Sequence, residues 1–290
     1  MSTTTVVVPI VTAVEGLKQV TGPLRPWQTS NKTQCTFLRE YFEPCRAEFA
    51  DLEEIETKAS CNAGELNAFA AKKGFPNLKL DEFGPGEVGV VSVLDLLVAW
   101  LVPGIKVPVK HGGKKYPGFR LSEGVQFCMA PKHDNPIAVL NTKSNDRVCV
   151  TVLTENVPQG FALEAFAKTL SATKQYAGGF DAVICPMVDL NQMVDIGWLK
   201  GMTTFSLDGK DWTISQAMQQ TKLRMNEKGA RAQSAVAIGA VTTSISMPQP
   251  DLIIDQPFLI WFERDGLSRP LFVGHITPED WKEPADLETA

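Results

Sequence analysis

The chain of 290 residues is 44% hydrophobic and 21% charged, with a formal net charge of -5. That is enough apolar material for a sizeable core, and it excludes a disordered chain. The acidic balance excludes nucleic acid as the main partner, since phosphate binding needs clustered Lys and Arg; the one locally basic stretch, Lys110 to Lys115, reads as a solvated loop.

The longest apolar run, Val90 to Val102, is interrupted by Ser92 and Asp95 and is too short to span a membrane. The N-terminal stretch lacks the basic segment and small-residue cleavage site of a secretory signal. Cys35, Cys45, Cys61, Cys128, Cys149 and Cys185 are scattered without a CxxC pair, as expected of reduced thiols in an intracellular protein. A cytoplasmic location is therefore expected, while the sequon Asn31-Lys32-Thr33 keeps secretion open.

In chain order, residues 1–37 give no clear signal, and "LREYFEPCRAEFADL" from Leu38 reads as strand-like or mixed. A helix follows, with Asn62 placed to accept from the Glu65 amide and Glu65 to reach back, then Leu66, Phe69 and Ala70 on one face and Gly74 and Pro76 as the stop. Gly86 to Gly104 reads as a strand buried on both faces, with helix as the second choice. "DRVCVTVLT" alternates as a strand, and "QGFALEAFAKTLSATK" is an amphipathic helix with Phe161, Leu163, Phe166 and Leu170 near one stripe. "DAVICPMVDL" reads as a strand and "NQMVDIGWLKGM" as a short helix. The tail is strand-rich: "QTKLRMN", then "DLIIDQPFLIWFER" and "RPLFVGHI" as a hairpin around Asp265-Gly266. Evenly spread Gly and Pro suggest one domain. The fold class is α+β with large, mainly antiparallel sheets.

Enzyme readings are weak. Cys128, His133 and Asp134 are neighbours in sequence, but the members of a nucleophile-base pair normally meet through the fold. "HGG" at His111 to Gly113 has no GxSxG beside it. His111, His133 and His275 are too dispersed for a metal site, so neither metal nor cofactor is expected. Trp198, Trp212, Trp261 and Phe262 read as core.

Asn226 to Ser246 is different. Read with a period of two, Ala230, Ala232, Ser234, Val236, Ile238, Ala240 and Thr242 form an uncharged face of small or apolar residues, while Arg231 and Gln233 fall on the other. Gly229 stands where a hinge would absorb a large backbone change. An Ala-rich helix or an ordinary strand is the plainer alternative.

The C-terminal hundred residues resemble the serpins, inhibitors of serine or cysteine proteases. "LIIDQPFLIWF", with Asp255, Pro257 and Phe258, is similar to the family signature; "MNEKGARAQSA", with Glu227, Gly229, Ala230, Ala232 and Ser234, to the hinge of the reactive-centre loop; "RPLFVGHI" to the final strand. "CPMVDLNQMVDIGWLKGM" resembles the segment that precedes the loop. The resemblance implies a serpin-like fold over residues 1–290 with an exposed loop at 226–250. It also implies a monomer that is not an enzyme but a single-use trap for a protease. The protease cleaves the loop and is held as an acyl-enzyme while the loop inserts into the central sheet. An uncharged inward face is what insertion needs, because an unpaired buried charge costs several kcal/mol. Gly229 to Thr243 would extend roughly 45 to 50 Å.

Counting from the hinge places the scissile bond at Thr243-Ser244; counting back from Pro257 gives Ser246-Met247. A small residue there argues against a trypsin-like target, which needs Arg or Lys. The chain departs from the family in being short, with no resemblance in residues 1–37. "LLVAWLVPG" replaces an F-x-G-x-W ending, and Gln219 stands where the family has a histidine. These departures favour the alternative: a non-inhibitory serpin-fold protein that binds a partner or is cleaved as a plain substrate.

Overall fold

The structure is a computed structural model that describes residues 1–84, 87–95, 98–144, 146–230, 249–285 and 287. Contacts within the chain gather into two compact units. Helices and mainly antiparallel sheets are mixed, as an α+β fold requires; the pair Val183–Pro186 and Leu252–Ile253 is parallel.

The first unit comprises Met1–Thr5, Leu97–Leu190 and Lys222–Thr289. Its main sheet has seven strands, in the order Thr3–Thr5, Phe272–Ile276, Phe258–Arg264, Asp146–Val152, His133–Asn141, Val125–Ala130 and Gln175–Tyr176, every pair antiparallel. Phe258 to Phe262 is the run buried on both faces, all five residues at 2% exposure or less. Helix Phe161–Thr173 covers this sheet, packing Leu163, Ala167 and Leu170 against Ile137, Cys149, Leu259 and Trp261. Phe166 packs at the margin of that cluster. A second sheet runs Leu252–Ile253, Val183–Pro186, Lys114–Leu121 and Ile105–His111. The expected strand over "DAVICPMVDL" is thus two strands broken at Met187, with Val188–Val194 continuing separately.

The second unit comprises Val6–Leu96, Asn191–Thr221 and Ala290. The segment from Leu38 is helical, not strand-like: Lys32–Phe37, a π-helical turn Leu38–Phe42, and Glu43–Ala50. Phe37, Tyr41, Cys45 and Phe49 recur every fourth residue and are all at 1% exposure or less. Pro44 obscures that helical period in the sequence, yet it stands at the first turn of Glu43–Ala50, where its missing N–H is tolerated.

Gly89–Leu94 corrects a second expectation. It buries only Val91 and Val93, against Leu66 and Ala70 of helix Ala63–Lys72. On the other face, Ser92 Oγ lies 2.6 Å from Thr12 Oγ1 and accepts from Thr57 Oγ1, a hydroxyl cluster in place of apolar packing. The Asn62 cap is present, with Oδ1 accepting from the Glu65 amide at 3.2 Å. The return path differs: Ser60 Oγ donates to Glu65 Oε2 and accepts from the Asn62 amide. The expected helix at Asn191 is mostly the end of strand Val188–Val194, with a single 3-10 turn at Gly197–Leu199.

Candidate functional site

Strand Gln219–Met225 delivers the chain to a tight reversal at Asn226, Glu227, Lys228 and Gly229. Asn226 makes that turn locally: its side-chain Oδ1 accepts from the Lys228 amide at 2.9 Å and its own amide donates to Gly229 O at 2.9 Å. The chain then runs back as Gly229–Ala230, antiparallel to Val98–Ala99, with Gly229 opposite Ala99 and Ala230 opposite Val98. Gly229 has φ +154°, and a Cβ there would lie 2.4 Å from Val98 O, so this position requires glycine.

Three successive carbonyls of the reversal are taken by one segment. Asn226 O accepts from the Trp100 indole at 2.9 Å, Glu227 O from the Gly104 amide at 2.7 Å, and Lys228 O from the Trp100 amide at 3.3 Å. Trp100 is 1% exposed and stacked on Phe119 with ring centroids 6.1 Å apart. On the far side of this segment, Ala99 O accepts from the Lys143 amide and the Leu101 amide donates to Asn141 O. Gly104 is held so close that a Cβ would lie 2.5 Å from Arg120 O.

Glu227 points its side chain inward. It is 14% exposed, its Oε2 has no hydrogen-bond partner among the described residues, and Lys106 Nζ is 3.9 Å away. Lys106 is also hydrogen-bonded to Glu283. That bond, together with the Glu227 charge, holds the Lys106 ammonium above its ordinary pKa.

The downstream end of the loop is tied equally firmly. The Gln249 amide donates to Asp181 Oδ2, Pro250 O accepts from the Asp181 amide, and Asp251 forms a two-bond pair with Arg120 at 2.7 and 2.9 Å. The hydrogen bond from Arg120 holds the Asp251 carboxyl below its ordinary pKa. In the signature, Asp255 O contacts His111 Nδ1 at 2.7 Å and Pro257 O accepts from the Leu153 amide. Phe258 is fully buried against Trp281, centroids 6.2 Å apart. Gln219, in the second unit, is buried and donates to Val6 O at 2.7 Å.

The structure therefore places Glu227, Gly229, Ala230, Asp255, Pro257 and Phe258. Ala232, Ser234, Thr243, Ser244, Ser246 and Met247 lie outside the described residues. Trp100, Gly104 and Lys106 were not singled out by the sequence as hinge partners; "AWLVPG" gave only a departure from a pattern.

The thiol-base reading has no geometry behind it. His133 Nε2 is engaged with Thr151 Oγ1 at 2.7 Å, and burial lowers the His133 pKa and raises that of Cys128, the reverse of an activated pair. Among the described residues no three His, Cys, Asp or Glu side chains cluster as a metal site, and no helix is long and apolar enough to cross a membrane.

The serpin (serine protease inhibitor) family model matches residues 182–278, a span that includes the Asn226–Gly229 reversal and strand Phe258–Arg264. A segment of 70 residues is 30% identical to the leukocyte elastase inhibitor of pig (Sus scrofa), spanning 24% of this chain and only 18% of that relative. Human thyroxine-binding globulin, solved with its hormone, superposes over 98% of this chain and 93% of its own at TM-score 0.60 and 13% identity. Mouse protein-Z dependent protease inhibitor superposes over 95% and 90% at TM-score 0.53 and 15% identity. The chain is thus serpin-like in fold along its length, and residues 182–278 carry the serpin sequence pattern. At 98% coverage, most of residues 1–37 falls within the shared span, although nothing in their sequence announced it.

Proposed function

We propose that this protein is a serpin-type protease inhibitor acting as a suicide substrate, with the loop at 226–250 as bait and Thr243-Ser244 as the bond cleaved. The observation that carries this reading is the register Gly229–Ala99 and Ala230–Val98. The loop's first residues already lie as a strand antiparallel to a neighbour, directly after a reversal. Insertion then lengthens an existing ladder and need not nucleate a new one. The residues that follow supply an uncharged alternate face at Ala232, Ser234, Val236 and Ile238, so burial leaves no charge unpaired.

The chemistry asked of this chain is limited. The protease's nucleophile attacks the Thr243 carbonyl, the Ser244 amine leaves with the downstream fragment, and the acyl-enzyme is stranded when residues 230–243 move into the sheet. The downstream fragment stays attached through Arg120–Asp251 and strand Leu252–Ile253. Thr243 suits a serine or cysteine protease with a small or undemanding S1 pocket, and the inhibitor acts as a monomer.

The tied-down reversal favours a second reading, in which the hinge does not open and the protein binds a partner through a permanently exposed loop. Incubation with an elastase-like serine protease and a papain-like cysteine protease separates the two on a denaturing gel. The inhibitory reading requires a band at the summed mass that survives boiling in detergent. Cleavage within 229–247 without that band would mean that the second reading holds.

A further inference from the structure

We propose that Lys106 is a positioning residue for the hinge: its ammonium, shared between Glu227 and Glu283, sets how readily the Asn226–Gly229 reversal opens and so ties the C-terminal segment to the loop. The inference rests on reading that reversal as a hinge and not on any trapping of a protease.

Three observations carry it. Lys106 is the second residue of strand Ile105–His111, two residues after the Gly104 amide that donates to Glu227 O, so its backbone is fixed beside the reversal. Glu283 is fixed as well, because Trp281 is 2% exposed and packs edge-on against His111 and Tyr116, with centroids 5.4 and 5.2 Å away. Lys106 hydrogen-bonds Glu283 but stands 3.9 Å from Glu227, whose largely enclosed carboxylate has one oxygen without a hydrogen-bond partner among the described residues. An enclosed carboxylate depends more on a single cation than an exposed one does. Glu283 therefore draws the ammonium away from the group that needs it more, and the strength of the hinge depends on how the two carboxylates divide it. An ammonium has three donors and can serve both at once, which makes the division graded.

The signs are opposite for the two partners. Lys106→Met removes the cation and loosens the reversal. Glu283→Gln frees the ammonium to close on Glu227 and tightens it. Hydrogen exchange of the Trp100 and Gly104 amides, which donate to Lys228 O and Glu227 O, reads opening directly on the intact protein without any protease. K106M should speed exchange at these two amides by up to about fivefold, the upper end for a largely exposed ion pair. The amides of strand Phe258–Arg264 serve as the unchanged control, and K106R should restore protection. E283Q should slow exchange in the native background and have no effect in K106M, because the coupling passes through Lys106. The proposal is overturned if K106M leaves Trp100 and Gly104 unchanged, if control amides move equally, or if E283Q acts the same with Lys106 absent.

Discussion

The Trp100 indole N–H donates to Asn226 O at 2.9 Å, joining a fully buried aromatic to the first residue of the reversal that starts the loop. Replacing Trp100 by Phe keeps most of the ring stacking on Phe119 and removes the donor. The expected cost is about 1 to 2 kcal/mol from an orphaned carbonyl and lost volume. A lower urea midpoint together with faster exchange at Gly104 would show that the loss is felt at the hinge.

Gly229→Ala brings a Cβ to 2.4 Å from Val98 O at φ +154°. Strain of about 1 to 3 kcal/mol should break the two-residue pairing with Val98–Ala99. If insertion begins there, the variant should be cleaved normally by a target protease while forming far less covalent complex. The ratio of cleaved chain to complex on a denaturing gel measures this.

Much of this was legible in the sequence, but unevenly. Strands Asp146–Val152, Phe258–Arg264 and Phe272–Ile276 and the helix over them follow from alternation in "DRVCVTVLT", the apolar runs flanking Asp265-Gly266 and the stripe of Phe161–Thr173, all local patterns; the other four strands of the sheet carried no such signal. Of the reversal, only Gly229 was legible, as a hinge position, because a glycine ahead of a long bland stretch is a local signal. Its partners were not. Trp100, Gly104 and Lys106 lie more than a hundred residues upstream, and nothing in "AWLVPGIK" says which backbone it meets. Burial on one face of Gly89–Leu94, where a double-sided strand was expected, was hidden for the same reason: Ser92 is explained only by Thr12 and Thr57. The helix through Pro44 failed on a local rule, since proline reads as a breaker until the π turn before it is known.

His133 should make the fold sensitive to mild acid. Burial lowers its pKa below the ordinary 6.5, so the unfolded chain binds the proton more readily than the native one. Stability is then full above about pH 6.5 and falls as the pH drops from there toward the folded-state pKa. His275, hydrogen-bonded to Leu153 O and also lowered by burial, adds to the same slope. Thermal midpoints of the native chain and His133→Gln between pH 7.5 and 5, as about the window set by the reference histidine pKa, should show a shallower fall in the variant.

Phe258→Ala should cost about 3 to 5 kcal/mol, the usual range for a fully buried phenylalanine, because the ring also supports Trp281. Denaturant unfolding measures the loss. Reduced inhibition in this variant should track its reduced stability, since Phe258 is a core residue of strand Phe258–Arg264 and outside residues 226–250.

Thr243→Arg should convert the loop into a trypsin substrate without disturbing the hinge. N-terminal sequencing of the released fragment should then begin at Ser244. A fragment beginning at Met247 with the native chain and its own protease would instead support the alternative bond.

The central claim is that the loop can lengthen the ladder begun at Gly229 and Ala230. Thermal unfolding before and after a single cleavage within 243–247 tests it most directly, with no need for the true target. Insertion predicts a rise far beyond the ~2 to 4 °C that one kcal/mol moves a domain of 150 to 250 residues. An unchanged or lowered midpoint in the cleaved protein would contradict insertion, and with it the inhibitory reading.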